Sequence, residues 1–178
     1  MKTWKIDPNH SEITFKVKHL VITTVSGKFT KFDSSLETEK PDFSDAVIRF
    51  SADVNSITTG NDQRDNHLRS ADFFDAENHP TLSFVSKEFI HKNGSHYVLK
   101  GNLTIRGTTR SVDLDVEFGG TQKDFSGNTV AGFEIRGRIN RHDFGLAWDG
   151  ITEDGGVVVS SEVRLDINVE FVKAGVGV

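Results

Sequence analysis

Apolar and polar residues alternate along most of the chain, which is the pattern of β-strands with one dry and one wet face. In the first long run, Ile13, Phe15, Val17 and His19 alternate with charged or polar residues. An Asn-Gly pair at positions 93 and 94 gives the strongest hairpin-turn signal. The alternation predicts about eight strands, which cover residues 13–19, 25–37, 48–54, 82–89, 97–105, 112–118, 131–139 and 157–171.

One segment, residues 60–80, does not alternate. Leu68, Ala71 and Phe74 recur there at spacings of three, which is helical periodicity. Asn61 is a good N-cap, and Pro80 ends the segment because the residue before a proline is pushed out of helical geometry. The pattern therefore predicts one helix among strands, which either covers an opening or plugs an ordinary core.

The predicted strands are long, on the order of ten residues, whereas five or six is usual. Such strands, separated by turn signals, favour a meander that forms either a sandwich or a closed barrel. An unbroken dry face favours the barrel, because closure removes the exposed edges. We therefore predict an all-β fold, an eight-stranded antiparallel barrel with one α-helix closing or flanking an end, as a single domain over residues 1–178.

Composition excludes several function classes. The 178 residues include no cysteine, which rules out a disulfide framework, a thiolate zinc site and a cysteine nucleophile. The formal net charge of −5 argues against a nucleic-acid partner, and no run of about 18 apolar residues predicts a transmembrane helix. The first residues show no apolar signal segment, so we expect a cytoplasmic protein, or a periplasmic one if the sequence is a trimmed mature form.

Small residues occur at the parity of the inward-facing phenylalanines: Ala52, Gly101, Ala131, Gly137 and Ser161. A solid core would favour larger aliphatic residues there, so these positions favour an elongated apolar cavity along the barrel axis. The alternative is that a large side chain from a facing strand fills each gap. On the first interpretation, replacing Gly101 and Gly137 with leucine should abolish uptake of a guest and leave the fold intact.

Four stretches carry motifs that occur in the same order in one known family. They are WKIDPNHSEITFKVKH from Trp4, RDNHLRSADFFDAENHPTLSF from Arg64, LKGNLTIRGTTRSV from Leu99 and NRHDFGL from Asn140. Each motif is weak alone, but together they span nearly the whole chain. The sequence therefore resembles the YceI-like family, the lipocalin-like polyisoprenoid-binding proteins.

The resemblance implies a lipocalin-like barrel with the helix packed against one end. It also implies that the interior holds a long polyisoprenoid or a similar amphiphile, such as a quinone or prenol tail. Family members are often dimeric, so a homodimer is a candidate assembly. The family supplies no catalytic residues to carry over, and we assign no cofactor and no metal to the chain.

Strand parity predicts the residues that contact the ligand, and His19 and Trp148 are placed at the mouth of the barrel. We also expect Arg141 and Asp143 to hold the long loop after residue 139 through a charge-assisted pair. The predicted ligand-binding residues are Ile13, Phe15, Val17, His19, Phe29, Phe50, Leu68, Phe74, Phe84, Leu99, Gly101, Leu103, Phe133, Ile135, Gly137, Trp148, Val159, Ser161 and Val163.

The sequence favours a non-catalytic protein that binds a long-chain isoprenoid or fatty lipid for transport, storage or sequestration. A first alternative is an enzyme that modifies such a lipid inside the barrel, for which His19 is the best inward-facing titratable residue. A second alternative is a filled barrel that serves as a protein-interaction module.

Overall fold

The computed structural model describes residues 2–150 and 158–174, which form eleven β-segments and one α-helix. The helix, α1, spans Asp62–Arg69. The β-segments are β1 Lys2–Ile6, β2 Glu12–His19, β3 Thr23–Phe29, β4 Phe32–Thr38, β5 Val47–Asp53, β6 Ile57–Thr58, β7 Thr81–Asn93, β8 His96–Ile105, β9 Thr108–Lys123, β10 Thr129–Asn140 and β11 Glu162–Lys173.

The segments form one antiparallel sheet that closes on itself through β1 and β11. Both β1 and β2 pair with β11, with Ile6 opposite Phe171 and Ile13 opposite Ile167, so they are two halves of one wall strand. The 3-10 turn Pro8–His10 separates these halves. In the same way, β3 and β4 form one wall strand and β5 and β6 another. The result is the closed eight-stranded antiparallel barrel that the sequence predicted.

Several predicted strands differ in their bounds from those observed, and the strand β1 was not predicted. The strand predicted over residues 25–37 bends at Thr30 and Lys31, because β3 pairs with β2 and β6 whereas β4 pairs with β1 and β5. The last strand was predicted from position 157, which lies outside the described residues, and β11 begins at Glu162. Before it, Val159 makes only an isolated bridge with His19.

The helix is shorter than the predicted segment 60–80. Asn61 caps its start as predicted, with Oδ1 accepting a hydrogen bond from Arg64 N at 3.0 Å. It ends at Ser70, whose backbone is extended and whose hydroxyl donates to His67 O at 2.5 Å. Serine near a helix end competes for the backbone in this way. Residues 71–80 therefore form turns, and Phe74 approaches the barrel from a turn.

An aromatic cluster fills the end of the barrel opposite α1. Phe43, in the loop between β4 and β5, is only 2% exposed. Its ring centroid lies 5.3 Å from that of Trp4, 5.2 Å from Phe118 and 5.5 Å from Phe133. Tilted and edge-to-face contacts at these distances are the favourable aromatic arrangements. The cluster gives the barrel a solid floor.

The loop that carries Phe43 is held by the Asp45 carboxylate. This carboxylate accepts hydrogen bonds from the Thr38 hydroxyl, from Glu39 N at 2.9 Å and from Lys40 N at 3.2 Å. The hydrogen bond from Thr38, followed by that from Glu39 N, lowers the pKa of Asp45 from 3.8 to about 2. Hydrogen bonds to a carboxylate favour its charged form.

We expect these hydrogen bonds to stabilise the aromatic floor when the pH is above the ordinary carboxyl pKa. We expect them to be lost on acidification. Because the pKa of Asp45 is depressed in the folded state, the stabilisation is complete above pH 3.8 and disappears as the pH falls towards about 2. The thermal midpoint of the wild type should therefore fall more steeply in this range than that of Asp45→Asn. Circular dichroism melts of both proteins measure the difference, and parallel curves would show that Asp45 does not hold the loop.

The small residues that suggested a cavity do not border it. A Cβ atom on Gly101 would lie 2.4 Å from Phe84 Cζ, and one on Gly137 would lie 2.4 Å from Leu114 Cδ2. Large side chains therefore already cover both glycines. The other three small residues are also outside the cavity wall: Ala52 and Ala131 are buried between neighbours, and Ser161 is exposed. Assigning Gly101, Gly137 and Ser161 to the lining was wrong, and leucine at the two glycines would disrupt packing.

We expect Gly101→Ala to destabilise the fold by about 1–3 kcal/mol, the usual range for overpacking. The new Cβ would lie 2.5 Å from Val85 O as well as against the Phe84 ring, and a backbone atom cannot move aside cheaply. Gly132→Ala is the matched control in a strand, because a Cβ there meets nothing within 4 Å. Urea unfolding should separate the two variants. Equal stability would contradict the close approach at Gly101.

Candidate functional site

Within the described residues, a cavity of about 370 Å³ occupies the barrel above the aromatic floor. Carbon atoms of aliphatic and phenylalanine side chains form nearly all of its wall. Every predicted ligand-binding residue except the three corrected above lies in this wall, while ligand contact by them stays a prediction. These wall residues are Ile13, Phe15, Val17, His19, Phe29, Phe50, Leu68, Phe74, Phe84, Leu99, Leu103, Phe133, Ile135, Trp148, Val159 and Val163.

The cavity is open because large side chains lie against the wall instead of crossing the axis. The Phe84 ring covers Gly101, and the Phe15 ring covers Gly27, where an added Cβ would lie 2.3 Å from Phe15 Cζ. An aromatic ring seated over a strand glycine is a known device for packing a β-sheet. The glycines thus contribute to the open interior indirectly, by providing seats for rings at the wall.

Several cavity residues were missed by the sequence analysis. Most of those on strands have the same inward parity as their predicted neighbours, so the alternation could have identified them. Phe89 is an exception because it follows a register shift between Ser86 and Glu88, and Thr14 and Lys18 have the outward parity of β2. Phe73, Arg64 and Leu146 come from the helix or from loops, where parity gives no signal. The strand residues missed include Ile48, Leu82, Phe89, Ile105, Val112, Leu114, Val116, Ile139, Leu165 and Ile167.

The mouth of the cavity lies at the α1 end of the barrel. Leu68 of α1 and Phe74 of the following turn reach the cavity wall. The His67 ring contacts Trp148 edge-to-face, with centroids 4.8 Å apart, and contacts Phe73 at 5.0 Å. His67 Nε2 also hydrogen-bonds the carboxylate of Asp72 at 2.8 Å. The helix and the loop of Trp148 therefore meet at the α1 end of the cavity.

Arg141 anchors the loop that carries Trp148. The residue is only 2% exposed, yet its guanidinium donates to four backbone carbonyls. The acceptors are Leu146 O at 2.7 Å, Trp148 O at 2.8 Å, Ser160 O at 2.9 Å and Val159 O at 3.2 Å. A buried guanidinium is stable only when its donors are satisfied in this way.

The carboxylate partner of Arg141 is Asp149, and the predicted pairing with Asp143 was wrong. Arg141 Nη2 lies 2.5 Å from Asp149 Oδ1, and this hydrogen bond, followed by that from His142, lowers the pKa of Asp149. Residues 141–144 form a 3-10 turn in which Asp143 is exposed and its carbonyl accepts from Arg110. The turn therefore places Arg141 inside the protein and leaves Asp143 exposed on its surface.

Titratable side chains in the described cavity wall are confined to the mouth: Lys18, His19, Arg64, His67 and Arg141. His19 is exposed at the end of β2. Arg64 donates to Thr59 Oγ1 at 2.7 Å and to Thr59 O at 2.9 Å. The deeper wall therefore offers dispersion contacts and an apolar surface, and the polar groups lie where a head group would be.

One group of possible metal ligands occurs in the described residues, and it lies outside the cavity. Asp7, His10 and Glu170 have ligand atoms within 4.8 Å of one another. Asp7 already caps the turn between β1 and β2, accepting from Asn9 N at 2.9 Å and contacting His10 Nδ1 at 2.8 Å. These contacts give Asp7 and His10 a structural role in the turn. Among the helices of the described residues, none has the length and apolarity needed to cross a membrane.

Comparison with known proteins gives consistent matches over nearly the whole chain. The family model described as the YceI-like domain matches residues 4–171. A UPF0312 protein of Staphylococcus epidermidis is 38% identical over 172 residues, covering 96% of this chain and 98% of that protein.

Two solved structures have the same fold. The crystal structure of Burkholderia cenocepacia BcnA matches with a TM-score of 0.79 and 21% identity, covering 93% of this chain and 98% of that one. A domain from Saccharophagus degradans, described as polyisoprenoid-binding and implicated in plant cell wall breakdown, matches with a TM-score of 0.67 and 15% identity, covering 96% and 98%. From the family match, the long UPF0312 alignment and the closed barrel, the chain belongs to the YceI-like domain family.

Proposed function

We propose that the protein binds the apolar tail of a long-chain isoprenoid or similar amphipathic lipid in the barrel cavity, for transport, storage or sequestration. The observation that carries the proposal is the apolar cavity of about 370 Å³, closed by an aromatic floor and opening at a polar mouth. This volume falls within the usual range of ligand pockets. The proposed homodimer rests on the family resemblance.

An isoprenoid tail suits the cavity because its affinity requires no charged partner. Burial is worth ~0.8 kcal/mol per methylene, so one isoprene unit contributes about 3–4 kcal/mol before the costs of association and ordering. The solved Saccharophagus degradans domain of the same fold is described as polyisoprenoid-binding, which supports the same ligand class for this chain. The polar residues at the mouth would face the head group.

The alternatives are less well supported. A lipid-modifying enzyme needs a titratable group near the reacting bond, whereas those in the described wall are at the mouth and Arg141 is occupied by loop carbonyls. A filled barrel acting only as an interaction module conflicts with the open cavity.

Titration of the delipidated protein with farnesol, a short prenol, tests the proposal. Trp148 lies at the mouth, so its fluorescence is a direct reporter. We expect saturable binding, with farnesol recovered chemically unchanged. No binding would contradict the proposed function, and recovery of an altered product would favour the enzyme.

A further inference from the structure

The hairpin that joins β2 to β3 exposes three consecutive apolar residues at its tip. Leu20 is 39% exposed, Val21 75% and Ile22 79%. Hairpin tips are normally formed by glycine, asparagine, aspartate or serine. Val21 and Ile22 add little to the core, because most of the surface of both residues is exposed.

The backbone at the tip also disfavours the residues found there. Leu20 has φ 53° and Val21 has φ 67°, on the left-handed side of backbone space, in a three-residue loop whose flanking residues His19 and Thr23 pair across β2 and β3. A β-branched residue is rare in this region of backbone space, where asparagine and glycine are preferred. Strain of this kind persists where it serves a function. The fold alone would therefore be better served by polar residues.

The hairpin is part of the cavity mouth. Val17 and Val25 face each other across β2 and β3, and both lie in the cavity wall. Leu20 N donates to Val158 O at 2.9 Å, and His19 bridges to Val159, which is also in the wall. The apolar tip is therefore continuous with the apolar interior at the point where a ligand enters.

The two strands of the hairpin carry lysines, and the acidic residues beside them, Asp166 and Glu162, come from the neighbouring strand β11. Residues 13–32 contain four lysines and no aspartate or glutamate, although the chain carries a formal net charge of −5. Lys16 pairs with Asp166 at 3.4 Å, and Lys18, Lys28 and Lys31 are exposed. Lysines beside exposed apolar side chains suit a surface that is anionic outside and apolar beneath.

We propose that the tip, residues 20–22, inserts into the surface of an anionic phospholipid bilayer and brings the cavity mouth to the membrane. The inference rests on the proposed function, because a lipid tail that enters the cavity must leave a bilayer without crossing much water. The tip supplies the apolar contact, and Lys18, the exposed lysine nearest the tip, supplies the attraction to anionic head groups. A lipid tail then passes along the continuous apolar surface into the barrel.

Co-sedimentation with vesicles tests the inference. The vesicles contain equal parts of phosphatidylcholine and phosphatidylglycerol, and vesicles of phosphatidylcholine alone measure the contribution of charge. The variant Val21→Ser with Ile22→Ser should lose vesicle affinity by at least about tenfold, because it removes two apolar side chains from the contact. Phe125→Ser is the matched control, since Phe125 is fully exposed in the β9–β10 loop at the floor end of the barrel.

The outcomes separate this inference from the proposed function. Farnesol titration of the double variant should give the affinity of the wild type, because Val21 and Ile22 are outside the cavity wall. Failure of the wild type to bind vesicles while it binds farnesol would overturn membrane docking and leave the ligand-binding function intact. Equal loss of vesicle binding in Phe125→Ser would overturn it as well, because the contact would not be local to the tip. Failure of the wild type to bind farnesol would overturn the proposed function and this inference with it.

Discussion

Replacing Ile135 with tryptophan is expected to abolish lipid uptake while the barrel still folds. Ile135 lies in the cavity wall on β10, between Val116 of β9 and Ile167 of β11. An indole there would enter open space along the axis instead of a packed core. A tail that loses about five buried methylenes forfeits ~4 kcal/mol, so the affinity should fall by at least about a hundredfold.

Glu134→Trp is the matched control for this substitution. Glu134 is the neighbouring residue on β10 and is exposed on the outer face of the barrel, so its indole cannot reach the cavity. Calorimetric titration with farnesol should show binding in the control and none in Ile135→Trp, with similar thermal midpoints for both. Unaltered binding by Ile135→Trp would mean that the ligand occupies another site.

Replacing Arg141 with methionine is expected to cost about 3–5 kcal/mol of folding free energy, because hydrogen bonds from a charged group to backbone carbonyls contribute about 1.5–3 kcal/mol each and more than one would be lost. Methionine retains much of the apolar stem but donates no hydrogen bonds. The carbonyls of Leu146, Trp148, Val159 and Ser160 would lose their partner, and each unsatisfied buried carbonyl costs about 1–3 kcal/mol. The loop would then release Trp148 from the mouth.

The variant Asp149→Asn separates the contribution of the carbonyl hydrogen bonds to stability from the contribution of the ion pair. The Asp149 side chain is 48% exposed, and exposed ion pairs contribute about 1 kcal/mol or less. Urea unfolding should therefore show a small loss for Asp149→Asn and a large one for Arg141→Met. Similar losses in the two variants would show that the ion pair, and not the set of carbonyl hydrogen bonds, holds the loop.

The barrel could be predicted from the sequence because its physical cause is local. Alternation along each strand identifies the inward face, and the same parity placed Phe15, Leu99 and Val163 in the cavity wall. The open interior was also expected, but for a wrong reason. Gly101 does not leave a gap on the axis, because the Phe84 ring occupies the space above it. That contact depends on side-chain geometry across neighbouring strands, which alternation does not encode.

Contacts made by loops were also beyond prediction from the sequence. The pairing of Arg141 with Asp149 instead of Asp143 follows from a 3-10 turn whose presence no periodic pattern indicated. The helix ends at Ser70 because a side-chain hydrogen bond there replaces helical geometry, although apolar spacing continues to Phe74. Periodicity predicts which faces are apolar, but turn chemistry decides where the elements end.

Solvent extraction of the purified wild-type protein, followed by mass spectrometry, tests the central claim most directly. A hollow apolar barrel that binds lipid tails should carry a long-chain isoprenoid or similar amphiphile from the cells that produced it. The same extraction of Ile135→Trp should yield none. Absence of lipid from the wild type, or equal amounts of lipid in both proteins, would contradict the assignment of the cavity as the binding site.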